Sequence, residues 1–353
     1  PCHHHPMTSR GPIALQLILA TSILAGCSSA TESTVDLEST NSSTTVVTAA
    51  PSAPDPTSTT TRLPANPTMP GQCHAEAATD PPAPVVDGAL DEVSGMAVGR
   101  RSGDQNILWL VDDDAEPAVV HGLREDGATV AAIELDVEGR DWEDLAIGPG
   151  PDGLPHLHVA DIGDNEATRE SVRVLRVPEP DVTGAVSLSP DVITLTYPDG
   201  PRDAEALAVD PLTGDLLIVA KERILGPQGV YRAPAPPAGD SSVVLERVYD
   251  LDVINLRSAN PLPLDLGAVA LGGFFPTAMD ISADGLVVAL RTYEAVWLFP
   301  RLPDQPGWTA FESEPCEAVS VVESQGEAMA LTDTGYVTIS EGLNPSINRF
   351  RRP

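Results

Sequence analysis

Residues 140–165 read RDWEDLAIGPGPDGLPHLHVADIGDN. An acidic opening leads into a short apolar run, a Gly/Pro/Asp turn, a second apolar run and an acidic close. Two β runs joined by a turn rich in Gly and Asp are a hairpin signature. In an antiparallel hairpin the start of the first strand lies beside the end of the second. The acidic groups at the two ends, Glu143 and Asp161, are therefore expected to be neighbours in space.

The unit recurs. Ser94-Gly95-Met96-Ala97-Val98, Glu143-Asp144-Leu145-Ala146-Ile147, Glu205-Ala206-Leu207-Ala208-Val209, Thr277-Ala278-Met279-Asp280-Ile281 and Glu327-Ala328-Met329-Ala330-Leu331 align without gaps, at separations of 49, 62, 72 and 50 residues. Most are followed by an Asp/Gly turn and a second β run, and further strand-like runs complete each unit. Repeats of this length, built from about four short strands with no helical period, predict an all-β fold, a β-propeller. Small residues such as Ala97, Ala146, Ala208 and Ala330 suit the crowded innermost strand. Five blades are recognisable, and the run 266–272 inside the longest interval admits a sixth. The last unit has room for about three strands, and the segment 85–90 is expected to supply the one that closes the ring.

The hairpin geometry gathers the first residues of the inner strands and the last residues of their partners on one face, around the channel mouth. Arg140-Asp141-Trp142-Glu143 and Arg202-Asp203-Ala204-Glu205 share one acidic signature. Glu143, Glu205, Lys221, Arg291 and Glu327 are the candidate ligand-binding residues, since both charge signs converge at a concave mouth. Asp112, Asp161, Asp164 and Asn165 are the candidate metal ligands, because Ca²⁺ takes six to eight hard oxygens and Gly163 permits a sharp turn. The same Asp and Asn residues also suit simple turn capping. Asp126-Gly127 and Asp152-Gly153 read as ordinary turns on the opposite face. The chain has no G-x-S-x-G elbow, no H-E-x-x-H and no phosphate-cradling loop. His121, His156 and His158 have no triad-like neighbours, and His158 reads as a packed histidine.

Composition bounds the partners. With 52 acidic against 20 basic residues the formal charge is −32, which argues against nucleic-acid binding. Pro1 to Pro6 read as sequence upstream of the start, and an export signal follows from Met7. Arg10 supplies its positive charge and the run 13–25 its apolar core, too short to span a membrane. The signal ends Leu24-Ala25-Gly26-Cys27, which resembles the bacterial lipobox, so Cys27 is the expected lipidation site and residues 1–27 the signal. Residues 28–72 form a tether. Between 28 and 70 it holds 19 Ser or Thr and six Pro, a composition that cannot bury enough apolar surface to order itself. Residues 73–353 are the propeller domain. Cys73 and Cys316 are its two cysteines, and an exported domain favours a disulfide between them.

The segments DWEDLAIGPGPDGLPHLHVADIGDN and DAEALAVDPLTGDLLIVAKE look like an actinobacterial group of exported propeller lipoproteins, some of them described as phytase-like or esterase-like. The resemblance spans roughly residues 85–340. In propeller phytases a Ca²⁺-lined acidic mouth with Lys and Arg groups hydrolyses phosphomonoesters, and Glu143, Glu205, Asp161, Lys221 and Arg291 are similar in kind. Two functions follow as expectations. The first is a protein held by acylated Cys27 on the extracytoplasmic face of a cell membrane, binding a small molecule, glycan or protein through its acidic mouth, with Ca²⁺ as the candidate cofactor. The second is a Ca²⁺-dependent phosphoesterase. A monomer is expected in either case.

Overall fold

The computed structural model describes residues 68, 70–77, 82–85, 88, 90–101, 107–113, 116–181, 184–222, 226–257 and 273–352. The export signal with Cys27, nearly all of the tether and the run 266–272 lie outside these residues. What is described is a five-bladed β-propeller.

Each blade is built on an antiparallel sheet, and in blades 1 to 4 its four strands run outward from the axis in chain order. Blade 1 comprises Val93–Val98, Leu108–Asp112, Val119–Leu123 and Thr129–Leu135. Blade 2 comprises Trp142–Pro149, Pro155–Asp161, Val172–Pro178 and Asp191–Thr196. Blade 3 comprises Ala204–Val209, Leu216–Ala220, Gln228–Ala233 and Glu246–Leu251, and blade 4 Pro276–Ile281, Val287–Thr292, Val296–Pro300 and Cys316–Ala318. Blade 5 takes Gly326–Thr332, Gly335–Ser340 and Ser346–Arg351 from the end of the chain. Its outermost strand comes from the beginning, as Glu76–Ala77 and Ala83–Pro84. The closing segment thus precedes the expected 85–90. Val85 and Leu90 instead pack into the core between blades 5 and 1.

The apolar runs are nearly continuous because every blade is buried on both faces. Alternate side chains serve opposite neighbours: Ile107, Trp109 and Val111 pack against blade 2, whereas Leu108 and Leu110 pack against blade 5. Five core clusters result, one for each blade-to-blade interface, so the ring is sealed by apolar burial all the way round.

Two features of the rim were not legible in the sequence. Gly184–Leu188, in the loop between the outer strands of blade 2, pairs in parallel with the outermost strand of blade 1. Ser241–Val244 does the same from blade 3 to blade 2. Cys73 and Cys316 form a disulfide with Cα atoms 6.0 Å apart, tying the segment before the closing strand to the outer strand of blade 4. Glu76 pairs with Arg351, and Arg351 in turn faces Gly335 in the turn between the inner strands of blade 5. The chain therefore joins the propeller on the face opposite the starts of the inner strands. Among the described residues no helix is long and apolar enough to cross a membrane.

Candidate functional site

All five inner strands carry the same irregularity. The pairing register slips between Val93 and Gly95, Trp142 and Asp144, Ala204 and Ala206, Pro276 and Ala278, and Gly326 and Ala328. The skipped residues are Ser94, Glu143, Glu205, Thr277 and Glu327, the first position of each aligned repeat. A bulge re-aims a side chain out of the regular ladder, and here it does so five times at one level around the mouth.

What the bulged residue does depends on its chemistry. Ser94 Oγ donates to the carbonyl of Trp142 at 2.6 Å, and Thr277 Oγ1 to that of Gly326 at 2.8 Å, so each hydroxyl staples its blade to the next. Glu143, Glu205 and Glu327 act as charges instead. Burial pushes Glu205 up to about 8 and Glu327 up to about 7, and Glu143 stands well above the usual carboxylate range. Glu205 is the chief charge acting on Glu143, and Glu327 also raises Glu205, so the three carboxylates share one field.

Below them the axis is occupied. Asp144, 1% exposed, accepts from the backbone N–H of Leu145 at 2.8 Å, of Leu207 in blade 3 at 2.8 Å and of Met279 in blade 4 at 3.1 Å. Asp280 accepts likewise from Ile281 at 2.7 Å and from Leu331 in blade 5 at 2.8 Å. Innermost strands leave one backbone edge unpaired, and these two carboxylates satisfy part of it. Gly95 permits the tight centre, since a Cβ there would collide with the backbone of Asp144 and Leu145.

Asp113, Asp141 and Glu143 bring one carboxylate oxygen each within 4.8 Å of one another. Burial pushes Asp113 up to about 7, with Asp141 beside it adding to the shift through charge and a shared hydrogen bond. The loop at Gly163 closes over this triad, where a Cβ would run into Glu143 and Asp141, and the Gly163 N–H donates to the Asp141 carbonyl at 3.3 Å. Three hard oxygens at this spacing fit a divalent cation such as Ca²⁺, with water completing the shell.

The expected residues fall into three groups. Glu143, Glu205, Glu327 and Lys221 meet at the mouth. Lys221 pairs with Glu205, and its Nζ stands 5.8 Å from the ring centroids of both Phe275 and Tyr293. Asp112, Asp161 and Asp164 are engaged elsewhere: Asp112 accepts from the Glu92 N–H at 2.9 Å, and Asp161 pairs with both Arg169 and Arg173. Asp164 caps its turn through the N–H groups of Thr168 and Arg169, while Asn165 is exposed. Arg291, 3% exposed, is a staple between blades 4 and 5. It donates to the carbonyls of Ala328 and Ile339 and pairs with Glu323. Asp113 and Asp141 were not singled out as ligands. The match of Asp141 to Asp203 in the shared signature was the available signal.

On the opposite face, Asp126 and Asp152 cap ordinary turns through the N–H groups of Ala128 and Leu154. His158 is buried, and burial with Arg176 nearby lowers it to about 3, so it packs as a neutral ring.

Fold and mouth together define the class, an all-β propeller with five blades and an acidic mouth. No known protein family matches the chain, and no curated protein matches it in sequence. Among solved structures, a glucose dehydrogenase is similar at a TM-score of 0.37 and 12% identity, covering 76% of this chain and 99% of that one. A luciferin-regenerating enzyme is similar at 0.38 and 12%, covering 74% and 92%.

Proposed function

We propose that this protein is an exported propeller, held by acylated Cys27 on the extracytoplasmic face of a membrane, whose acidic mouth binds Ca²⁺ and, with it, a ligand or partner. The observation that carries the reading is the Asp113–Asp141–Glu143 triad, set within 4.8 Å beside two further bulged glutamates. Carboxylates so close repel one another unless protons or cations intervene. The chain joins the propeller on the face opposite the mouth. Acidity disfavours nucleic acid, and a monomer suits a ring already closed by its own N-terminal strand. The phosphoesterase reading draws less support, because Arg291 is committed to blades 4 and 5 and Lys221 to Glu205.

Terbium luminescence and calorimetry with Ca²⁺ test the reading. A single site with a dissociation constant on the order of 10⁻⁴ M, as in extracellular Ca²⁺ modules, is expected. Glu143→Gln or Asp141→Asn should weaken it about tenfold or more, whereas Asp161→Asn should disturb stability before affinity. Absence of saturable binding, or binding indifferent to Glu143 and Asp141, would reject the triad as a metal site.

A further inference from the structure

Beside the triad the mouth holds a second feature. Glu205 is 5% exposed and gives Oε1 to the Lys221 ammonium, but its Oε2 is buried with no hydrogen-bond partner among the described residues. A buried acceptor without a donor has lost its hydration with nothing in return. Phe275 and Tyr293 flank the same spot, and the Tyr293 hydroxyl lies 3.4 Å from Lys221 Nζ. Carboxylate oxygens beside two aromatic faces are the surroundings that hold an ammonium group. The chain already seats one there, its own Lys221, and Glu205 Oε2 still lacks a donor.

We propose that the mouth takes a primary ammonium group from an amine-bearing small molecule, which donates to Glu205 Oε2 beside Phe275 and Tyr293. The proposal rests on the mouth being the binding surface and names the class of ligand it admits. A primary ammonium carries N–H donors for that oxygen, whereas a quaternary ammonium carries none. Glu327 acts on Glu205 through charge, so removing it weakens the hold on the ammonium.

The test is calorimetric titration of the full chain, in chelator near neutral pH, with 1,5-diaminopentane and separately with tetramethylammonium. One saturable diamine site is expected, with tetramethylammonium about tenfold weaker or worse. Glu205→Gln and Glu327→Gln should each lower diamine affinity by about tenfold, and Asp304→Asn, which removes one exposed charge elsewhere, should leave it unchanged. If Glu205→Gln proves unfolded by circular dichroism, Glu327→Gln carries the comparison. Equal binding of the two probes, an equal loss in Asp304→Asn, or no diamine binding overturns the proposal, the first two by exposing diffuse attraction to a chain of charge −32. Terbium luminescence on chelator-free samples of the same proteins separates the failures. Amine binding absent with terbium binding intact removes this inference alone, while loss of both removes the mouth as a binding surface.

Discussion

Asp144 is the residue whose position says most about how this propeller is held. It follows the bulged Glu143, and the register slip turns it into the axis, where one carboxylate serves N–H groups from blades 2, 3 and 4. Read along the sequence, it lies in the middle of a scaffold strand and looks unremarkable beside its acidic neighbours. Asp144→Ala leaves three buried donors without an acceptor at the point where blades meet. A loss of about 3 kcal/mol or more is expected, measured by urea unfolding. A loss below about 1 kcal/mol would mean that water reaches the axis and replaces the carboxylate. The bulged positions show the same dependence on residue chemistry. Ser94 and Thr277 reach the next blade through a hydroxyl, whereas a glutamate at that level stays in the mouth.

At the level of elements, the weakest joint is the closing strand of blade 5. Two residues at Glu76–Ala77 and two at Ala83–Pro84 complete a sheet that every other blade completes with three to seven. The Cys73–Cys316 bond compensates by fixing the chain just before this strand. It closes a loop of 243 residues, for which the chain-entropy model gives about 5 kcal/mol. Cys316→Ser, or reduction, should lower the melting temperature and expose the region around residue 77 to protease before the inner blades are attacked. Simultaneous loss of all blades, with no early N-terminal cleavage, would show that closure and ring stability are one cooperative event. The parallel strands 184–188 and 241–244 reinforce the rim elsewhere by carrying one blade's loop onto its neighbour.

For the whole molecule, the mouth couples charge to stability. Asp113, Glu205 and Glu327 are pushed up to about 7, 8 and 7, chiefly by burial. Each therefore binds its proton more tightly in the folded chain than in the unfolded one, where carboxylates titrate near 4. Below that pH both states are protonated and the groups contribute no difference. As pH rises from about 4 to 8 the unfolded chain releases protons that the folded chain retains, so these groups erode stability, fully so above about 8. In chelator, melts should show this slope flattened in Glu327→Gln relative to the parent protein. Ca²⁺ should restore stability at the alkaline end, by about 1.4 kcal/mol at tenfold excess over its dissociation constant. An identical slope in the parent and Glu327→Gln would detach the mouth carboxylates from the pH response.

Much of this was legible in the residues. A repeat of Glu/Ser/Thr followed by small and apolar residues, with Gly/Asp turns, is enough for a propeller, because strand period and turn chemistry are local properties. Hairpin geometry also brought Glu143 to the loop at Gly163 and gathered Glu205, Glu327 and Lys221 at one mouth. The five bulges were not visible, since a register slip is a relation between two strands. Nor was the division of labour among the acids. Asp161 and Asp113 look alike in sequence, but Arg169 and Arg173 lie in loops and strands that fold back onto Asp161 and leave Asp113 facing Asp141. Arg291 changed role for the same reason, because the carbonyls it serves belong to the next blade. Which carboxylates are neutralised and which stay available is set by side chains that neighbouring strands, loops and blades bring up, and only the tertiary structure decides it.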